Sequence, residues 1–370
     1  VRLNRVLKHP GLSTRPKANT NFLKGVTMSQ AAATLREALN GVVLNQSQAV
    51  EVFAAITNGE FNEIEIAAFL GALHARGENP AEIAAAAQAF RAAAVNFPYP
   101  KGQGGLVDVV GTGGDRAGTI NISTASALVA ASLGVKVAKH GNRAVSSRSG
   151  AADLVETLGI PLDLSPQASV QLLESTGFCF LFAQKYHPAM RYVAPVRAAL
   201  KNPTVFNLIG PLVNPAPLSA QVLGVGNPAL LDDMASALAS ANLDHALVVH
   251  GSGLDEIALH GPTQVRELRG AEITAYELTP AQLGLGTYTV ADLVGGDASV
   301  NAQLIRAVFD GAGQAAHRDA IAASAGAVLY VTGKADPLAQ GVQDALEAIA
   351  NGTVASHLDK IVTQARELSA

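Results

Sequence analysis

Cysteine occurs once in the 370 residues, at position 179, and tryptophan not at all. A single thiol excludes a disulfide within the chain. Its place in the apolar run Phe178-Cys-Phe-Leu-Phe182 reads as a buried side chain kept reduced in a cytoplasmic setting. No uncharged apolar run approaches the roughly 18 residues that a membrane span needs. The net charge of −4 argues against nucleic-acid binding through bulk charge. The nine histidines show neither an H-E-x-x-H pattern nor a Cys/His spacing, so a zinc centre is not indicated. No G-x-S-x-G elbow is present, and a covalent nucleophile is not indicated either. Acidic residues are missing altogether from the first 27 residues, which carry Arg2, Arg5, Lys8, Arg15, Lys17 and Lys24 ahead of Met28. That stretch has no apolar core of a secretory signal. Two readings of 1–27 stand: a poorly packed leader outside the functional chain, with Met28 as its start, or a basic arm for nucleic acid.

What is present divides in two. Residues 28–98 read as helices only. Asn79-Pro80-Ala81-Glu82 is a strong helix start: Asn caps, Pro fits the first turn and Glu reaches back. Residues 98–105, rich in Pro and Gly, make the best linker. From Leu106 onward strands and helices alternate, which predicts an α/β domain over 99–370 with a central sheet flanked by helices. Strands are expected over 106–110, 135–138, 178–182 and 246–250, near 265–268 and near 288–290, with mostly helix after Asp297. Helical material near 188–200 is expected to join the small N-terminal helical domain.

Two glycine-broken loops stand out, Gly111-Thr-Gly-Gly-Asp115 and Lys139-His-Gly-Asn-Arg143. Each follows a short apolar run, and Asn121-Ile-Ser-Thr124 opens a helix between them. A right-handed βαβ crossover would bring both loops to the same carboxyl edge, where open α/β sheets bind ligands. Glycines there let backbone N–H groups approach an anion, directly ahead of a helix start. Asn121, Ser123 and Thr124 add side-chain donors and a helix cap. Lys139 and Arg143, followed by Ser146, Ser147, Arg148 and Ser149, suit a polyphosphate; an exposed surface loop is the plain alternative. No Gly-Lys-Ser/Thr follows, so this is not a Walker loop, and the dinucleotide pattern G-x-G-x-x-G is absent. Asp255-Glu256, in a glycine-rich loop after a buried strand, could hold Mg²⁺ shared with substrate phosphates, or could be an exposed turn pair.

The ordered set Val107-Asp-Val-Val-Gly-Thr-Gly-Gly-Asp115, Asn121-Ile-Ser-Thr124, Lys139-His-Gly-Asn-Arg143, Pro203-Thr-Val-Phe-Asn-Leu-Ile-Gly-Pro-Leu-Val-Asn-Pro215, His250-Gly-Ser-Gly-Leu-Asp-Glu256 and Gly295-Gly-Asp-Ala298 resembles the anthranilate phosphoribosyltransferase family. It covers nearly everything after Met28. The resemblance implies transfer of a 5-phosphoribosyl group from phosphoribosyl pyrophosphate to the amine of anthranilate, in tryptophan biosynthesis. It implies a small helical domain hinged to a larger α/β domain, and a homodimer formed through the helical part. The donor would be held by Gly111, Gly114, Asp115, Thr119, Asn121, Ile122, Ser123 and Thr124. From the second loop, Lys139, His140, Gly141, Asn142, Arg143, Ala144, Val145, Ser146, Ser147 and Ala151 would join them. Ser123, Asp255 and Glu256 would ligate Mg²⁺, two ions per subunit. Gly111, Asn142 and Arg197 would meet anthranilate, with Arg197 on its carboxylate and His140 lining the same pocket. No acid, base or nucleophile is assigned.

Two positions depart from the family pattern. Ala151 stands where many relatives have Ser, which removes a side-chain contact to the donor, and Ser324 replaces a common Asn. The nearest rival, a pyrimidine nucleoside phosphorylase, would carry a Lys-His-Ser-Thr-Gly-Gly loop where this chain has Val110-Gly-Thr-Gly-Gly-Asp115. A non-enzymatic nucleic-acid-binding relative would rest on the basic leader alone.

Overall fold

The structure, a computed structural model, describes residues 29–100, 103–144 and 148–369. The expected leader 1–27 and the candidate residues Val145, Ser146 and Ser147 lie outside the described residues. Four helices come first: α1 (Gln30–Leu39), α2 (Gln46–Thr57), α3 (Glu63–Arg76) and α4 (Pro80–Ala92). Asn45, Asn62 and Asn79 each accept a bond from the backbone of the following first turn, and Gln48, Glu65 and Glu82 reach back to the cap. Glu82 does more. Its buried carboxylate takes the Arg76 guanidinium at 2.6 Å and the Leu44 N–H at 3.4 Å, fastening α4 to the end of α3 and to the α1–α2 connection.

The rest alternates as expected: β1 (Leu106–Gly111), α5 (Ile122–Ser132), β2 (Val137–Gly141), α6 (Ala151–Thr157), α7 (Pro166–Thr176) and β3 (Phe178–Phe182). Then follow α8 (Ala183–Tyr186), α9 (Ala194–Leu200), β4 (Leu218–Gly224), α10 (Leu231–Ala239), β5 (His245–Gly251), β6 (Thr263–Arg269) and β7 (Glu272–Leu278). Helices α11 (Ala298–Phe309), α12 (Ala315–Val331), α13 (Leu338–Ala350) and α14 (Thr353–Ser369) complete it. The seven strands form one sheet in the order β3-β2-β1-β4-β5-β6-β7, parallel from β3 to β5 and antiparallel beyond.

Side chains alternate across this sheet, as the strand period of two requires. Val109, Val222, Leu247 and Val249 enter a core with α5 and α12–α14. Leu223 and Val248 enter a second core with α10, the N-terminal helices and Val196 of α9. Segment 188–200 therefore packs with the helical layer: Phe206, just beyond it, meets Phe90 edge-to-face at 5.0 Å and Phe53 at 6.5 Å. Each such aromatic pair adds about 0.5–1.5 kcal/mol beyond its burial.

Three expectations need correction. Residues 288–290 are not a strand: Tyr288 and Thr289 precede a short 3-10 turn from Val290 to Leu293. The last strand is instead β7, ten residues earlier at Glu272–Leu278, an exposed edge strand. The central strand β4 was not expected at all. Asn121 does precede α5, but its side chain does not cap the helix.

Candidate active site

The chain lays β2 and then β3 on one side of β1, and returns to place β4 on the other. Parallel sheets bind ligands in the crevice such a reversal opens at their carboxyl edge. Here β1 and β4 end on facing glycines, Gly111 opposite Gly224. A Cβ on Gly111 would lie 2.1 Å from Asp255 Oδ2, and one on Gly224 would lie 1.7 Å from the Asp255 carbonyl oxygen. Only two bare backbones let the Asp255 loop come down onto the switch point. The crevice is then stitched: Thr112 N–H donates to the Gly224 carbonyl at 2.9 Å, and Gly226 N–H to Thr112 Oγ1 at 3.1 Å. Gly113 N–H donates to Asp255 Oδ2 at 2.6 Å.

Glu256 joins from the same loop, its Oε1 accepting from Ser123 Oγ on the first turn of α5 at 2.7 Å. The three residues expected to hold Mg²⁺ therefore converge from β1–α5 and the β5 loop. Enclosure by protein pushes the Asp255 carboxyl up to about 7, with the Asp115 charge adding to the effect. Enclosure likewise pushes Glu256 up to about 8, with Asp255 as its repelling neighbour. Carboxylates this crowded gain from a cation, so the donor set fits Mg²⁺. Among the described residues no three Asp, Glu, His or Cys side chains form a cage by themselves. That suits an ion that takes one or two carboxylates and completes its shell with substrate phosphate and water.

Lys139 is placed differently from the loop cation its sequence implied. It lies within β2, 2% exposed, and its Nζ donates to the Val109 carbonyl at 2.6 Å. Burial depresses its pKa, opposed by the charges of Asp108 and Glu256. Asp108, buried on β1, is pushed up to about 6 by burial, and Lys139 pulls the other way. Its Oδ2 accepts from Asn214 Nδ2 at 2.8 Å. Lys139 is thus a buried side chain tied to β1 and within reach of the Glu256 charge, not a mobile arm.

His140 follows, with Nε2 3.2 Å from Nε2 of His187. Burial drives both imidazoles down, to about 3 and about 4, so the pair is neutral at physiological pH. This pair, and Gln184 Nε2 to Asn142 Oδ1 at 3.4 Å, tie the end of β2 to the segment leading into α9. Arg143 is exposed and held by Asp153 at 2.9 Å and Glu156 at 2.8 Å on α6. Asp153 Oδ2 also accepts from Ala144 N–H and Gly150 N–H, which closes the loop back to Gly150 and Ala151 at the start of α6. Gly141 is the last residue of β2 and Gly114 has positive φ. Ile122 and Thr124 are buried on α5.

Arg197, on α9, lies over the Phe206 ring at 5.8 Å. Burial holds its pKa down, and it has no ion pair among the described residues. Thr119 bridges to Val294, and Gly295 N–H donates to the Gly118 carbonyl, so the 295–298 motif backs the first loop. Asn301 completes this support: its Oδ1 accepts from Gly296 N–H at 2.7 Å and its Nδ2 donates to Asn121 Oδ1 at 2.8 Å. The sequence reading missed Asn301, Gly224 and Asp108. Asp108 had a signal, a carboxylate inside an apolar strand.

Comparison with known proteins agrees with this geometry. Residues 103–355 match the glycosyl transferase family a/b domain, and residues 32–94 its helical bundle domain. An anthranilate phosphoribosyltransferase of Corynebacterium aurimucosum is 48% identical over 335 residues, 90% of this chain and 96% of that protein. The crystal structure of the Thermus thermophilus anthranilate phosphoribosyltransferase superposes with a TM-score of 0.84 at 45% identity, covering 90% of this chain and 99% of that one. The Saccharomyces cerevisiae enzyme, solved in complex with PRPP and Mg, gives 0.82 at 26% identity, covering 91% of this chain and 98% of that one. The chain belongs to the anthranilate phosphoribosyltransferase family.

Proposed function

We propose that the chain transfers the 5-phosphoribosyl group of phosphoribosyl pyrophosphate to the amine of anthranilate, giving N-(5-phosphoribosyl)anthranilate and pyrophosphate. The observation that carries this reading is the meeting of Asp255 and Glu256 with Gly111, Gly113 and Ser123 at the switch point. In the reaction the ribose C1–oxygen bond to pyrophosphate breaks, a C1–nitrogen bond forms, and the amine gives up a proton. An aryl amine is already neutral at pH 7, so no strong base is required.

Backbone N–H groups of 111–115 and the side chains of Thr119, Asn121, Ser123 and Thr124 position the donor. His140 to Ala144, together with Val145, Ser146, Ser147 and Ala151, close over it from β2. Ser123, Asp255 and Glu256 hold Mg²⁺, two ions per subunit in this reading. When bound it neutralises negative charge growing on the leaving pyrophosphate, the kind of electrostatic term that dominates such reactions. Lys139, its Nζ tied to the Val109 carbonyl, stands where it feels the charge of Glu256. Gly111, Asn142 and Arg197 receive anthranilate. Arg197, with no ion pair among the described residues, takes the carboxylate, and the neutral His140–His187 pair leaves that charge for Arg197. Holding the amine against C1 then lowers the barrier by orientation.

The enzyme works as a homodimer joined through its helical layer, where α1, the α1–α2 connection and α3 expose Leu39, Val42, Val43 and Ile64, the last 80% exposed. Pyrophosphate release from phosphoribosyl pyrophosphate tests the reading. It should require anthranilate, while thymidine with phosphate should give no nucleobase release. Phosphorolysis of thymidine would instead favour the nucleoside phosphorylase reading.

A further inference from the structure

A cavity of about 500 Å³ lies at the other edge of the sheet, enclosed by the last turn of α4, residues 96–99, residues 211–218 and the end of α10. Leu218 opens β4 and Leu243 precedes β5, so this is the amino edge, whereas Asp255 and Gly111 mark the carboxyl edge. The length of β4 separates them, about 20 Å at the usual strand rise. A smaller cavity of about 200 Å³, lined by Gln46, Gln88, Ser240 and Asn242, adjoins it, and Arg91 lines both. Among the described residues no acidic side chain and no second cation lines either space.

Arg91 has no ion pair or side-chain hydrogen bond among the described residues, and burial holds its pKa down with nothing opposing. One other described arginine is in the same state, Arg197, which the reading above gives to a carboxylate. A half-buried guanidinium without a counter-charge is costly unless something anionic reaches it. The walls decide what. Phe97, Pro211, Pro215, Pro217 and Leu243 offer flat apolar surface, and Asn96 a polar edge. A dianionic phosphate would want a second cation. A monoanion with an apolar body would not, and the volume falls in the range of small-molecule sites.

We propose that this cavity is a second ligand site, separate from the catalytic crevice, that takes a flat aromatic or heteroaromatic monocarboxylate with its carboxylate on Arg91. A ligand there touches the helical layer through α4 and the α/β layer through α10 and residues 211–218, so it braces one against the other.

Indole-3-acetate is a suitable probe, because a chain without tryptophan gives its fluorescence a clear background. Titrations would compare the wild type with Arg91→Gln, Arg91→Lys and Arg197→Gln. A saturable site should persist in Arg197→Gln, weaken about 10-fold or more in Arg91→Gln as a charge-assisted bond is lost, and recover in part in Arg91→Lys. Transferase turnover of Arg91→Gln without probe should match the wild type, and its melting temperature should be equal or higher, since no partner is lost. Unchanged binding in Arg91→Gln overturns the proposal, as does absence of saturable binding in Arg197→Gln. Equally strong displacement by inorganic phosphate overturns the carboxylate assignment.

Discussion

Gly111 and Gly224 face each other across two strands, and the close approach each permits is of a different kind. At Gly111 the obstacle to a methyl is the end of the Asp255 side chain; at Gly224 it is the Asp255 backbone. Gly224→Ala should therefore cost stability, about 1–3 kcal/mol as overpacking usually does, read as a lowered melting temperature. Gly111→Ala should cost less stability but displace the carboxylate and weaken Mg²⁺ binding. Equal melting temperatures for the two variants would contradict this division. Asp255 and Glu256, raised to about 7 and about 8, add a pH dependence. A carboxyl that holds its proton more tightly when folded stabilises the fold at low pH and loses that contribution as pH rises through the folded value. The metal-free protein should accordingly lose melting temperature between about pH 5 and 8. Protons compete with the metal in the same window, so Mg²⁺ affinity, measured by calorimetry, should climb from pH 6 to 8; a flat profile would remove both carboxylates from the metal site. Gly111, Ser123, Asp255 and Glu256 were legible in the sequence because their motifs are local. Gly224 was not, since what demands a glycine there is a loop 31 positions further along.

At the scale of elements, sequence patterning worked where one period dominated. Phe178-Cys-Phe-Leu-Phe182 is apolar throughout and is buried throughout as β3. The Asn-capped helix starts also stand where expected. Strand β4 escaped because Gln221 interrupts it; that side chain is buried only because its Nε2 reaches the Pro211 carbonyl at 2.8 Å, a partner that local sequence does not reveal. Asn121 stood with Ser123 and Thr124 as a source of donors and a cap, but tertiary partners claim its amide: Asn301, and Ser149 through both its carbonyl and its hydroxyl. Asn301, 1% exposed on α11, joins the first loop's helix to the 295–298 segment. Asn301→Ala should strand the buried Gly296 N–H, at about 1–3 kcal/mol, and leave Asn121 Oδ1 with the Ser149 hydroxyl alone. The expected result is a lower melting temperature and a raised KM for phosphoribosyl pyrophosphate. An unchanged KM would reduce Asn301 to a purely structural role.

At the scale of the molecule, a helical layer and a seven-stranded mixed sheet share one core through Phe53, Phe90 and Phe206, and Arg197 lies on that junction. The two-part organisation was legible from the change at residues 98–105, where helix-only sequence gives way to alternation. The exposed apolar face of α1 and α3 carries the proposed dimer, so Val43→Asp with Ile64→Asp should yield a folded monomer in sedimentation velocity; a dimer surviving both substitutions would place the interface elsewhere. The most direct test of the central claim is the fluorescence of anthranilate mixed with the purified protein. It should decay with time only when phosphoribosyl pyrophosphate and Mg²⁺ are both present, and stop decaying when Asp255→Asn is combined with Glu256→Gln. Undiminished fluorescence with the folded wild-type chain and both additions would contradict it.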